Sequence, residues 1–156
     1  MALPTGTVTL LFTDIEGSTR LWEQHPGAMA VALERHDSLM RSAIEGAGGY
    51  VFKTVGDAFC AAFASAKEAV DAAGAAQRAL HAEAWPVEAT LRVRMALHTG
   101  ECEERDADYF GPAVNRVARL EATAHGGQVV VSQATAVLVR DPYRQAQACS
   151  NSAGTA

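Results

Sequence analysis

The chain has 156 residues, a formal net charge of -5, an isoelectric point near 5.5 and 49% hydrophobic residues. That length and apolar content fit one folded domain and exclude disorder along the whole chain. The acidic balance excludes a protein that grips nucleic-acid backbones through a basic face, while a small anionic ligand held by a metal or by local positive charge stays open.

No run approaches the roughly 20 apolar residues of a membrane-spanning helix, and the N-terminus lacks a signal-peptide pattern, so the chain reads as cytoplasmic, with no membrane and no nucleic-acid partner. Cys60, Cys102 and Cys149 make an odd number with no CxxC spacing, and read as buried or idle thiols rather than disulfides or zinc ligands. Eleven arginines stand beside only two lysines, Lys53 and Lys67, so a lysine here marks a specific requirement.

In chain order, Thr7 to Phe12 is β-branched and apolar enough for a buried strand, which runs into the acidic turn "DIEGST" at Asp14 to Thr19. From Ser18 to about Ala47 the apolar residues fall at helical spacing with Pro26 and Gly27 interrupting, which predicts a helical pair ending in the glycines at 46 to 49. Tyr50 to Val55 and Ala58 to Phe63 are short strands around Gly56 and Asp57, a hairpin pattern. Ser65 caps an alanine-rich helix to about Ala84, before Pro86.

Leu91 to His98 alternates like a strand with one apolar face, and a polar loop, "TGECEERDADYFG", follows. Pro112 suits the first turn of a helix carried on from Ala113 to Ala124, stopped by Gly126 and Gly127. Val129 to Val131 is a further strand, and Ser132 caps a last helix to about Arg140. The order predicts an α+β fold with a largely antiparallel sheet over residues 1–140 and a polar tail over 141–156. No internal repeat is visible.

Asp14 and Asp57 close two apolar strands 43 residues apart. If those strands are neighbours, the carboxylates meet at one sheet edge, and like charges there require a cation between them; hard oxygen donors favour Mg²⁺ or Mn²⁺. The turn from Ile15 through Gly17, Ser18 and Thr19 opens a helix whose free N–H groups can cradle phosphate oxygens. The same residues also read as a plain helix cap. Asn115 and Arg119, four apart, share a helix face, either a phosphate- and ribose-binding pair or an ordinary solvated face. Strand alternation aims Lys53 away from Phe52 and Thr54, as a ligand or as a common edge-strand lysine.

Taken together, "FTDIEGST", "KTVGD" and "DYFGPAVNRVAR" resemble the catalytic domain of class III nucleotidyl cyclases of the actinobacterial type, from about Thr7 to Arg140. The resemblance implies the ferredoxin-like, polymerase-palm-related class III fold, and two divalent metals per site on Asp14, Asp57 and the Ile15 carbonyl. It implies that Lys53 and Asp108 read the purine as adenine, and that Asn115 orients the ribose while Arg119 stabilises the α-phosphate. The implied reaction converts ATP to 3′,5′-cyclic AMP and pyrophosphate by in-line attack of the ribose 3′-hydroxyl.

Such sites are shared between two subunits, so the resemblance also implies a head-to-tail homodimer. His98 reads as a structural strand-end residue rather than a base. Family members continue into further strands bearing a phosphate-binding lysine, and none follows Lys67 here, so Arg140 or Arg144 is expected to substitute or the enzyme to be weak. Competing readings are a guanylyl or mixed-specificity cyclase, a non-catalytic nucleotide-binding or dimerisation module, and a diguanylate cyclase. The last rests on "VGDAF", in which Ala58 stands where that enzyme's turn has glutamate.

Overall fold

The β-branched run after Gly6 becomes the central strand β1 (Gly6–Ile15) in the computed structural model, which describes residues 3–140. On one side β1 pairs antiparallel with β3 (Ala58–Phe63), itself in a hairpin with β2 (Tyr50–Val55). On the other side it pairs antiparallel with β4 (Val93–Arg105), which turns into β5 (Asp108–Phe110). A short β6 (Val129–Val131) joins β4 in parallel, giving the order β2-β3-β1-β4-β5 with β6 beside β4. The mixed α+β architecture and its mainly antiparallel sheet are as expected.

Alternation along β1 sends side chains to two unequal cores. Leu11 and Ile15 pack beneath α2 (Pro26–Gly46) and α3 (Ala66–Ala82), against Met29, Met40, Ile44 and a row of alanines that lets the helices sit close. Val8, Leu10 and Phe12 meet Ala113 and Val117 of α4 (Pro112–Glu121) on the opposite face. Full burial of a Leu, Ile, Met or Phe side chain stabilises by about 1.5–3 kcal/mol, so the broader first core anchors the sheet. The thinner second core leaves the far end of its face open to polar residues.

The helical pair forms as predicted, with α1 (Ser18–Gln24) separated from α2 at Pro26, and Ser65 Oγ accepts from the Glu68 N–H at 3.4 Å to cap α3. Several boundaries differ from the sequence reading. β1 continues through Asp14 to Ile15, because pairing with Val93, Arg94 and Met95 satisfies its backbone beyond the apolar run. α3 ends at Ala82 and α4 at Glu121, each short of its expected limit.

The largest correction is the polar loop: those residues extend β4 to thirteen residues and then form β5. Exposed Glu101, Glu103 and Arg105 alternate with half-buried Cys102 and Glu104, so the strand has no apolar run to betray it. Asp106 and Ala107 link the strands with φ of 53° and 62°, the left-handed pair that matches a twisted two-residue hairpin. Residues 133–140 are helical, with Ser132 Oγ accepting from the Thr135 N–H. No helix among the described residues is long and apolar enough to cross a membrane. Arg144, Cys149 and the rest of the expected tail lie outside the described residues.

Candidate functional site

The face of β1 that carries Leu10 and Phe12 ends in Asp14, and its cross-strand neighbour on β4 is Arg94. Arg94 donates from Nε to Asp14 Oδ1 and from Nη2 to Oδ2, both at 2.6 Å. This two-pronged, charge-assisted geometry is the strong form of the arginine–carboxylate pair. The Asp14 carboxylate raises the Arg94 pKa further above its already high value.

Asp57, in the turn between β2 and β3, comes to the same strand end: its Oδ2 accepts from the Ile15 N–H at 2.7 Å. The two acids of the sequence reading are therefore neighbours, because β3 pairs with β1 and delivers its turn beside Asp14. A third carboxyl arrives from the end of α4. Burial, then the neighbouring Asp14, pushes the Glu121 pKa up to about 8. Bringing carboxyl groups into one partly dry place favours the proton or a cation.

The Asp14 and Asp57 carboxylates that the fold brings to one strand end are hard oxygen donors, the type expected for Mg²⁺ or Mn²⁺ together with the Ile15 carbonyl. Among the described residues no three His, Cys, Asp or Glu side chains are grouped ready to hold a metal. The fit thus rests on two carboxylates plus backbone oxygen, with one of the carboxylates held by Arg94.

Lys53 and Asp108 also meet, Nζ to Oδ2 at 3.2 Å, across β2 and β5. Alternation aims Lys53 away from Phe52, and the partners of the two, Asp108 and Tyr109, are likewise consecutive on β5. The register slips between Val51 and Lys53, a β-bulge. Phe52 reaches Tyr109, with ring centroids 4.8 Å apart, while Lys53 reaches the adjacent Asp108. Tyr109 is itself fixed by donating its hydroxyl to the Pro4 carbonyl at 2.6 Å, so β5 is held where it can present Asp108.

The turn after Asp14 is not a side-chain-capped helix start. Gly17 takes the N-cap position of α1 at φ 69°, and no side chain caps it, which leaves the Gly17, Ser18 and Thr19 end available to an anion. Glu16 has a structural role: its N–H donates to the Arg92 carbonyl at 2.9 Å, and its carboxylate lies against Gly126. His98 lies within β4 rather than at a strand end, and its Nδ1 shares a hydrogen bond with Ser132 Oγ at 2.7 Å.

On α4, Ala113 and Val117 are buried against the sheet, whereas Asn115 and Arg119 are exposed on the outward side. They share a face, as their spacing requires, and among the described residues no hydrogen bond or ion pair links either of them to Asp14 or Asp57. Cys60 and Cys102 are free thiols, and burial pushes the Cys60 pKa up to about 11, so neither is a poised nucleophile.

Two residues of this site escaped the sequence reading, Arg94 and Glu121. Arg94 looked like the polar half of an alternating strand. The available signal was an arginine flanked by Val93 and Met95 in a strand that could face an acid-ended β1. For Glu121 the signal was its place four residues after Val117, on the buried side of α4.

The model of the adenylate and guanylate cyclase catalytic domain matches residues 1–153. This chain belongs to that family. Its sequence is 47% identical to an uncharacterised protein of Mycobacterium tuberculosis over 138 residues, 87% of this chain and 46% of that protein. It is 39% identical over 155 residues to the adenylate cyclase of Podospora anserina, covering 83% of this chain and 7% of the fungal enzyme. The chain thus spans less than half the length of these curated relatives. Among solved structures, an adenylate cyclase of Trypanosoma brucei in its monomeric state superposes with a TM-score of 0.79 at 33% identity, over 88% of this chain and 78% of that one. The fold expected of a class III cyclase is therefore the fold observed.

Proposed function

We propose that the chain is an adenylyl cyclase that converts ATP to 3′,5′-cyclic AMP and pyrophosphate. The observation that carries this reading is the meeting of Lys53 and Asp108 at 3.2 Å, which sets a donor beside an acceptor at one edge of the sheet. Adenine offers an acceptor at N1 next to the donor amino group at N6, so Lys53 donates to the first and Asp108 accepts from the second. Guanine reverses the order on the same edge, which makes this pair the determinant of purine choice.

Asp14, Asp57 and the Ile15 carbonyl would hold the divalent metals, Mg²⁺ or Mn²⁺. When bound, these lower the pKa of the ribose 3′-hydroxyl and neutralise phosphate charge. The backbone N–H groups at Gly17 to Thr19 face the polyphosphate, where a helix N-terminus favours anions. Asn115 and Arg119 point outward on α4, which supports their use by the site of a second copy: Asn115 orients the ribose, and Arg119 braces the charge that builds on the α-phosphate. A head-to-tail homodimer with two composite sites follows from that division.

Product analysis with ATP and GTP side by side, in Mn²⁺, tests the reading on the unaltered chain and on the Lys53→Glu, Asp108→Cys double variant. Cyclic AMP from the unaltered chain, with preference moving toward GTP in the variant, is the expected result. An unaltered chain that makes cyclic GMP first would establish the guanylyl alternative. Turnover no greater than that of an Asp14→Ala control would leave a non-catalytic nucleotide-binding module.

A further inference from the structure

Asp14 already has a cation. Both of its oxygens are engaged by the Arg94 fork at 2.6 Å, and the pair is partly shielded, with side-chain exposures of 29% for Arg94 and 23% for Asp14. Asp57 differs: its bond is from the Ile15 backbone N–H, a neutral donor, and no salt bridge reaches it among the described residues. The two proposed metal ligands are therefore unlike, one in a charge-assisted pair and one bonded only by a neutral backbone N–H.

We infer that Arg94 is a built-in counter-ion to Asp14 and competes with divalent metal for its carboxylate. The inference rests on the metal-site reading of Asp14 and Asp57 given above. A guanidinium at hydrogen-bond distance repels a divalent cation and occupies the oxygens that the cation needs, so Asp14 becomes a metal ligand only after Arg94 swings away. The fold needs such a counter-ion because β3 and α4 bring Asp57 and Glu121 to the same strand end, and Asp14 without a partner would be a half-buried charge among acids.

Metal binding is thereby coupled to a side-chain rearrangement between β1 and β4, and the site responds to metal at a higher concentration than two free aspartates would. The ordinary alternative is that Arg94 only staples β1 to β4. The two roles predict opposite effects on metal affinity.

The probe is Mn²⁺ alone, without nucleotide, with free Mn²⁺ followed by electron paramagnetic resonance for the unaltered chain, Arg94→Gln and Arg94→Lys. If Arg94 competes, Arg94→Gln tightens Mn²⁺ binding by about fivefold or more, and Arg94→Lys, which keeps the charge but loses the fork, falls between. Affinity that is unchanged or weaker in Arg94→Gln overturns the inference.

Asp57→Asn in each background separates this from the reading beneath it. Mn²⁺ binding that needs Asp57 yet ignores Arg94→Gln sinks only the competition; binding indifferent to Asp14→Asn and Asp57→Asn sinks the metal site, and the competition with it. Should the variants not fold, the unaltered chain still decides. The Arg94 Nε–H proton, slowed in exchange by its bond to Asp14, passes into fast exchange as Mg²⁺ is added if Arg94 is displaced, and keeps its protection if it is not.

Discussion

Gly49 shows how little room a single position can leave. A Cβ there would stand 2.5 Å from two ring carbons of Phe63 and 2.9 Å from a methyl of Ile44, both fully buried side chains. Neither can withdraw into solvent, so Gly49→Ala is expected to lower stability by about 1–3 kcal/mol in urea unfolding, the usual cost of overpacking. His98 supplies a pH dependence. Burial, then the positive charge of Arg116, holds its imidazole below the ordinary 6.5. An unfolded chain takes up that proton near 6.5 while the folded one refuses it until lower pH, so this group removes stability as pH falls below 6.5. Titration by NMR should give a midpoint under 6.5 for His98, moved upward in Arg116→Gln; a midpoint at or above 6.5 would contradict the assignment.

Among the elements, the β4–β5 hairpin does most to shape the site, because it carries Asp108 to Lys53. Its turn holds Ala107 at φ 62°, a conformation that costs a residue with a Cβ about 1–2 kcal/mol. Ala107→Gly relieves that strain at the expense of a looser unfolded chain, so a net gain of up to about 1 kcal/mol is expected from denaturant unfolding. The β2 bulge acts in the same direction. Beside this register shift, Phe52 meets Tyr109 and Lys53 meets Asp108, so two consecutive residues of β2 engage two consecutive residues of β5.

At the scale of the whole molecule, the proposed homodimer gives the exposed Asn115 and Arg119 a second copy's site to serve. Mixing an Asp57→Ala chain with an Arg119→Ala chain, each inactive alone, should restore cyclase activity to about a quarter of the unaltered level, since half the dimers are mixed and each holds one intact site. No recovery on mixing would mean that each chain uses its own α4.

Much of this was legible in the sequence, and the reasons are local. The spacing of apolar residues, Pro26 and Gly27 as an interruption, Ser65 as a cap and the Gly56–Asp57 turn between two apolar runs act within a few residues, so α1, α2, α3 and the β2–β3 hairpin could be read directly. The acids, the glycine turn and the Asn115 and Arg119 spacing were legible because their chemistry belongs to residue type and order. Strand β4 beyond His98 was not, since its partners are distant and its exposed face is polar. Nor were the ion pairs: Arg94 lies 80 residues from Asp14, and only the register of β1 on β4 makes them opposite. The sequence by itself therefore determined the candidate groups that the proposed function assigns to metal, phosphate and purine. Only the tertiary structure decided which of them touch, because side-chain pairing depends on strand register, which is set by long-range backbone hydrogen bonds.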